Sequence, residues 1–178
     1  PLELFQIWLN LPKRNKLMEP HFAMLWNELI PQQEVVDDNG RKTLVKIIAG
    51  NLNNTNAPDP APNSWANDRD NEVAIWILKM EDNSVFTIPK ASVGINRTLY
   101  LYEGEDILVG GERISNYHSV VVKPDSEIKI ENGAKPASIL LLQGKPILEP
   151  VAQYGPFVMN TQSEIQQAMQ EYQQTEFG

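Results

Sequence analysis

Between residues 73 and 142 the hydrophobic positions fall in short alternating runs: Val73 to Met80, Ser84 to Ile88, Thr98 to Tyr102, Asp106 to Val109, Ser119 to Val122, Glu127 to Ile130 and Ser138 to Leu142. Gly94, Gly104, Gly110-Gly111, Pro124-Asp125, Asn132-Gly133 and Gly144 separate them with residues that favour turns. Short strands at regular spacing predict a sandwich or a barrel. Upstream, Glu34-Val35-Val36 and Leu44 to Ile48 flank Asp37-Asp38-Asn39-Gly40, whose Asn-Gly step favours the positive φ of a hairpin turn. The period changes only at the end of the chain. There Thr161 and Glu164 form a capping box, and Ile165, Ala168, Met169 and Tyr172 recur at helical spacing. One amphipathic C-terminal helix is predicted, with Met169, Tyr172 and Phe177 on its apolar side.

Two stretches depart from this rhythm. Leu2 to Leu9 has the composition of a buried strand, ends at Asn10-Leu11-Pro12, and leads through a basic turn at Lys13 to Lys16 into a mixed helical stretch from Pro20 to Trp26. Asn51 to Glu72 is rich in Asn, Asp and Pro, with Pro58, Pro60 and Pro62 spaced against both helix and central strand, and is expected as a long mobile loop on which Trp65 has the chance to dock. The expected organisation is residues 1–30 as strand and connector, 31–160 as the β domain with 51–72 as its mobile loop, and 161–178 as the closing helix.

Composition narrows the chemistry. The 178 residues are 42% hydrophobic and 21% charged, enough for one compact core. There is no cysteine, so disulfides, thiolate metal sites and Cys nucleophiles are excluded, in keeping with a cytoplasmic protein. A formal net charge of -8 disfavours direct contact with nucleic acid, and no apolar run has the length of a membrane span.

The run Thr98-Leu99-Tyr100-Leu101-Tyr102-Glu103-Gly104-Glu105-Asp106-Ile107-Leu108-Val109-Gly110-Gly111 is similar to the paired strands of a cupin barrel. Three further segments, Phe5-Gln6-Ile7-Trp8-Leu9-Asn10-Leu11-Pro12, Gly144-Lys145-Pro146-Ile147-Leu148-Glu149-Pro150 and Gly155-Pro156-Phe157-Val158-Met159-Asn160-Thr161, resemble pirin-family signatures in the family's order. This resemblance implies an all-β fold: a cupin (RmlC-like) jelly roll, or double-stranded β-helix, with a short inter-domain segment and one C-terminal helix. Pirins are bicupins whose iron is held by three histidines and a glutamate in the N-terminal domain. Those ligands precede the Trp-Leu-Asn-Leu-Pro strand, so no residue of this sequence is expected to inherit one. The chain is therefore expected to be a C-terminal half with no cofactor of its own, partner to an iron-binding N-terminal cupin. The parent class is associated with iron-dependent, quercetin-like dioxygenation and with transcriptional co-regulation. Removed from that partner, the opening strand should present Phe5, Ile7, Trp8 and Leu9 as an exposed patch or a homodimer surface.

The general cupin metal pattern can be laid on this sequence. Counting back from Gly104, its His-x-His and Glu slots fall near Lys90, Ser92 and Arg97; counting forward from Pro124, the last His slot falls near Lys129 or Ile128. Cations in those places repel a metal at a cost of several kcal/mol in a low-dielectric pocket. If Lys90, Arg97 and Lys129 converge inside, they suit a carboxylate or phosphate, so a stand-alone cupin that binds a small organic anion is the alternative function. Otherwise the three lie on solvated faces or rims. The two histidines, His21 and His118, lack neighbours at ligand spacing and read as structural or surface residues, against a metal enzyme built on them. Ser115, Ser119 and Ser126 lack a nucleophile elbow, Gly110-Gly111 reads as a hairpin turn, and Glu103, Glu105 and Asp106 read as a solvated edge. The chain alone is not expected to be an enzyme.

Overall fold

A computed structural model describes residues 2–175. Within them the chain forms two compact units. The larger, residues 22–61 and 66–146, contains twelve strands. These are β1 (Gln32–Val36), β2 (Lys42–Ala49), β3 (Asn51–Leu52), β4 (Thr55–Asn56), β5 (Ala74–Met80), β6 (Val85–Ile88), β7 (Asn96–Glu103), β8 (Asp106–Val109), β9 (Glu112–Ser115), β10 (Ser119–Val121), β11 (Ile128–Asn132) and β12 (Ala137–Gly144). A six-stranded sheet runs β1-β2-β5-β12-β7-β10 and a four-stranded sheet runs β6-β11-β8-β9. From β5 to β8 and again from β9 to β12, strands consecutive in sequence alternate between the two sheets, which is the jelly-roll solution to burying two apolar faces against each other.

The alternation seen in sequence is the alternation of faces. On β5, positions 74, 76, 78 and 80 are buried, and on β7 positions 97, 99 and 101. Their inner side chains join Val45, Ile47, Ile139 and Leu141 from the same sheet and Phe86, Ile88, Ile107, Val109 and Ile130 from the facing one in a single core. Strand β12 is central: it pairs antiparallel with β5 from Ala137↔Met80 to Gln143↔Ala74, and with β7 from Ser138↔Glu103 to Gly144↔Asn96. The β1–β2 hairpin turns as expected, with Gly40 at φ +75°. Asp37 holds that turn: its Oδ1 accepts from the backbone N–H groups of Asn39 and Arg41, and its Oδ2 accepts from that of Val85 on the next sheet. Desolvation works to raise the Asp37 pKa, but these N–H donors outweigh it and hold the carboxyl below its usual value.

The smaller unit gathers residues up to His21, residues 62–65 and the chain from Ile147 on. It contains β13 (Ala152–Tyr154), β14 (Phe157–Met159) and helix α1 (Gln162–Thr175). The β13–β14 hairpin turns at Gly155, and Phe157 meets Tyr172 of α1 edge-to-face at 6.1 Å. Ile165 and Ala168 are the buried residues of the helix. Phe177 lies outside the described residues. No helix among the described residues is long and apolar enough to cross a membrane.

Three expectations need correction. Residues 5–9 form no strand; Phe5 is half-buried, while Ile7, Trp8 and Leu9 are exposed. Pro20 to Trp26 is not helical; a single 3-10 turn follows it at Asn27–Leu29. Residues 51–72 are not structureless, since they carry the β3–β4 hairpin and 3-10 turns at Trp65–Asn67 and Arg69–Asn71, with Leu52 buried in the core. Strands β9, β13 and β14 were not anticipated, each being four residues or fewer.

Gly50, between β2 and β3, has φ +79°, and a Cβ there would stand 2.5 Å from the carbonyl oxygen of Val73. Gly50→Ala is expected to destabilise the fold by about 2 kcal/mol or more, read as a lowered midpoint in urea unfolding. Gly40 has a similar φ but open space around it, so Gly40→Ala should cost less than Gly50→Ala.

Candidate functional site

Inside the jelly roll, the polar positions sit at one end of an apolar wall. Arg97 follows the inward face of β7 together with Leu99 and Leu101, and is only 2% exposed. Its Nε donates to Oε1 of Gln143 at 2.7 Å and its Nη2 to the Pro89 carbonyl at 3.0 Å, while its Nη1 is buried with no hydrogen-bond partner. Gln143 faces Arg97 across the β7–β12 ladder and passes the connection on, its Nε2 donating to the Glu72 carbonyl at 2.9 Å. The Glu72 carboxylate accepts from the Ser92 backbone N–H at 3.1 Å. Burial lowers the Arg97 pKa, opposed by the Glu72 charge.

The three candidate cations do not converge. Arg97 alone is interior; Lys90 and Lys129 are exposed, and Lys129 is bridged to Glu131 at 3.0 Å on the outside of β11. Ile130, the next residue, is the one that enters the core. A divalent cation does not fit this wall, because of the polar residues counted to the cupin slots only Arg97 is interior, and its guanidinium donates only and repels a cation. Among the described residues no three of the metal-ligating type come together. His21 and His118 are both exposed, the latter with Nδ1 3.0 Å from the Asn116 carbonyl oxygen.

A second polar cluster lies in the smaller unit, around the 3-10 turn Lys13–Asn15. Glu149 Oε2 accepts from the Lys13 backbone N–H at 2.6 Å and from Asn160 Nδ2 at 3.0 Å. Asn160 Nδ2 also reaches the Pro150 carbonyl at 3.0 Å. Lys16 Nζ donates to Asn10 Oδ1 at 2.6 Å and to the Val158 carbonyl at 3.2 Å. The capping box forms as read, with Glu164 N donating to Thr161 Oγ1 and Thr161 N to Glu164 Oε2. Glu164 does more than cap, since its Oε1 bridges Lys13 Nζ at 2.7 Å. Between these groups opens a shallow cavity of about 150 Å³ that Lys13, Lys16, Met159, Asn160 and Glu164 help to line. The cluster thus clasps the N-terminal segment to β14 and α1.

Asn10, Pro12, Glu149, Pro150, Asn160 and Thr161 belong to the three separated segments that carry the sequence resemblance, and the fold brings those segments to one place. Residues 75–178 match the model of the pirin C-terminal cupin domain. The chain belongs to the pirin family. It is 33% identical to Pirin-1 of Arabidopsis thaliana over 97% of its own length and 57% of that protein, and 33% identical to a pirin-like protein of Solanum lycopersicum over 94% and 54%. In structure it is similar to a quercetin 2,3-dioxygenase from Acinetobacter baumannii, with TM-score 0.79 and 23% identity over 95% of this chain and 55% of that one. The chain therefore spans about half the length of the curated pirin relatives it matches.

Sequence reading missed Gln143, whose partner is fixed by cross-strand register rather than by spacing, and Glu149, whose role depends on residues far away in sequence. The clasp also makes a pH prediction. Its hydrogen bond to Lys13 is the main cause holding Glu164 below its ordinary 4.5, and the same bond raises Lys13 above 10.5. The Glu164 contribution is complete above pH 4.5 and is lost as pH falls through the lowered value; that of Lys13 is complete below 10.5 and is lost as pH rises through the raised value. Glu164→Gln should therefore reduce hydrogen-exchange protection of α1 at neutral pH, and the difference from wild type should vanish once the pH falls below the lowered Glu164 value.

Proposed function

We propose that this chain is the metal-free C-terminal cupin of a two-domain pirin-like protein and serves as structural partner to an iron-binding N-terminal cupin, whose cleft it helps to shape. In this reading residues 1–30 are the inter-domain segment, and the parent is an iron-dependent dioxygenase of flavonol-like substrates or a co-regulator acting through protein contacts. The observation that carries the reading is the exposed apolar surface of the N-terminal segment. Leu2 is 89% exposed, Leu4 77% and Trp8 57%, and Leu17, Phe22, Met24, Trp26 and Leu29 are exposed as well. So many large apolar side chains in one short stretch mark an interaction surface.

The clasp supports this reading by fixing where the segment is held. Asn10 to Lys16 are tied by side-chain and backbone hydrogen bonds, so the residues before Asn10 are presented from a fixed base. The chemistry inside the jelly roll favours this reading, since the interior residue at the Glu slot is Arg97, a cation where a metal would need a carboxylate. A share of about half of each relative's length agrees with a second domain in the parent.

Elemental analysis of the complete protein should give iron, and the same analysis of this chain should give none at stoichiometric level. Stoichiometric metal in this chain would overturn the reading. The N-terminal half of the parent, expressed separately, should bind this chain, and Leu4→Ser with Trp8→Ser should weaken that binding at least about tenfold. Unchanged binding by the double variant would show that the segment is not the contact surface.

A further inference from the structure

The sequence contains two Asn-Gly steps, Asn39-Gly40 and Asn132-Gly133, and the fold holds them differently. An asparagine followed by glycine is open to loss of its side-chain amide, because glycine has no Cβ to keep its backbone nitrogen away from the carboxamide carbon. What decides the outcome is how firmly the two groups are held. Residues 38–40 are all exposed at the tip of the β1–β2 hairpin. The Asn39 side-chain amide has no hydrogen-bond partner among the described residues, and a Cβ built on Gly40 would find nothing within 4 Å. Asn39 Cγ therefore has room to swing toward the Gly40 nitrogen. One bond restrains that nitrogen, its donation to the Asp37 carbonyl at 2.9 Å, and this bond lies in an exposed turn.

Asn132 is the opposite case. Its Nδ2 donates to the Glu81 and Lys135 carbonyls, each at 2.8 Å, and its Oδ1 accepts from the Gly133 N–H at 2.9 Å. The backbone is held on both sides as well, Asn132 N donating to the Ser84 carbonyl at 2.9 Å and Asn83 N to that of Gly133 at 2.7 Å. The carbonyl oxygen of Asp106 would stand 3.3 Å from a Cβ on Gly133. The leaving amide and the attacking nitrogen are thus both fixed at the end of β11, and several bonds must break together before they can react.

We propose that Asn39 is a site of spontaneous deamidation and isoaspartate formation, and that the isoaspartate product loosens the turn that ties the two sheets together. The Gly40 nitrogen, deprotonated by solvent base, bonds to Asn39 Cγ; the Cγ–Nδ2 bond breaks and ammonia leaves with a proton taken from solvent, closing a succinimide ring. Water then opens the ring. Opening at Cγ gives aspartate with the original backbone, whereas opening at the main-chain carbonyl gives isoaspartate, whose backbone runs through Cγ and is longer by a methylene. Water is the only co-reactant. The longer backbone falls between Asn39 and Arg41, whose N–H groups Asp37 Oδ1 accepts, while Asp37 Oδ2 accepts from Val85 N–H at 2.8 Å on the facing sheet. Either product also adds a negative charge beside Asp37 and Asp38. This modification is independent of the scaffold role proposed above.

The test incubates the folded chain at mildly alkaline pH, digests samples at intervals, and follows the peptides carrying Asn39 and Asn132 by the mass gained when an amide becomes an acid. Fragment spectra distinguish isoaspartate from aspartate. Asn39 should convert at least about tenfold faster than Asn132, because more bonds must open at the second step. In denaturant the two steps should convert at similar rates, since only the fold separates them. The isoaspartate-enriched fraction should melt about 2 to 4 °C below the unmodified chain. Asn39→Asp adds the charge without lengthening the backbone and should lower Tm by less. Equal rates in the folded chain, faster conversion at Asn132, or a tenfold difference that persists in denaturant would overturn the assignment of the site. An isoaspartate-enriched fraction that melts with the unmodified chain would overturn its effect on the turn.

Discussion

Strand β12 is the seam on which the jelly roll depends. It is the only strand hydrogen-bonded to both β5 and β7, and five consecutive residues from Ala137 to Leu141 are buried. Alternation is lost there because both faces are covered; Ile139 and Leu141 enter the core at full burial, and Leu140 on the opposite face is 5% exposed between Ile77 and Tyr100. A strand joined on both edges and covered on both faces has no freedom of register, since a slip of one residue would exchange its core set for its outer set. That fixed register brings Gln143 opposite Arg97 and so determines the polar end of the interior.

The same seam explains why a cupin wall can exist without metal ligands. In a metal-binding version the inward polar positions are held by strands and tied by a cation. Here Arg97 makes the ties in the opposite sense, as a donor to Gln143 and to the Pro89 carbonyl, and Gln143 extends the connection to the backbone at Glu72. A guanidinium joins β7, β12 and the two flanking loops through directed hydrogen bonds, so the end of the jelly roll keeps its shape without coordination chemistry. The electrostatic consequence is a wall that carries positive charge, since the desolvated guanidinium that fixes it repels other cations.

Much of the larger unit was legible in the sequence because its strands announce themselves by period and by turns. Val73 to Met80 contains the core residues of β5, Ser138 to Leu142 those of β12 apart from Ala137, and Gly110-Gly111 is the turn between β8 and β9. The N-terminal segment was misread for a physical reason. Leu4, Ile7 and Leu9 have strand propensity, but a strand is a relation between two segments, and propensity cannot state that the second is present. The candidate site was legible only at Arg97. Lys90 and Lys129 were linked to it by counting slots along the chain, whereas one residue of register on β11 decides that Ile130 faces in and Lys129 faces out. Trp76, read as an element of a strand, carries an indole N–H whose lack of a partner emerges only from packing.

The family signatures resolve differently from the general cupin motif, and the difference shows what each preserves. The general motif concerns inward side chains of the jelly roll, where this chain has Arg97 at the Glu slot. The pirin-like segments instead converge on the clasp in the smaller unit, where Glu149 serves both the Lys13 backbone and Asn160, and where Glu164 caps the helix it also ties to Lys13. Each of these groups is engaged in holding segments together, Lys13 and Glu149 being 136 positions apart in sequence. A surface ion pair contributes little by itself, but here it is joined to helix capping and to hydrogen bonds of the buried Asn160 amide, so the segments are held by a network rather than by one contact. What these signatures specify is therefore the attachment of the N-terminal segment within the smaller unit.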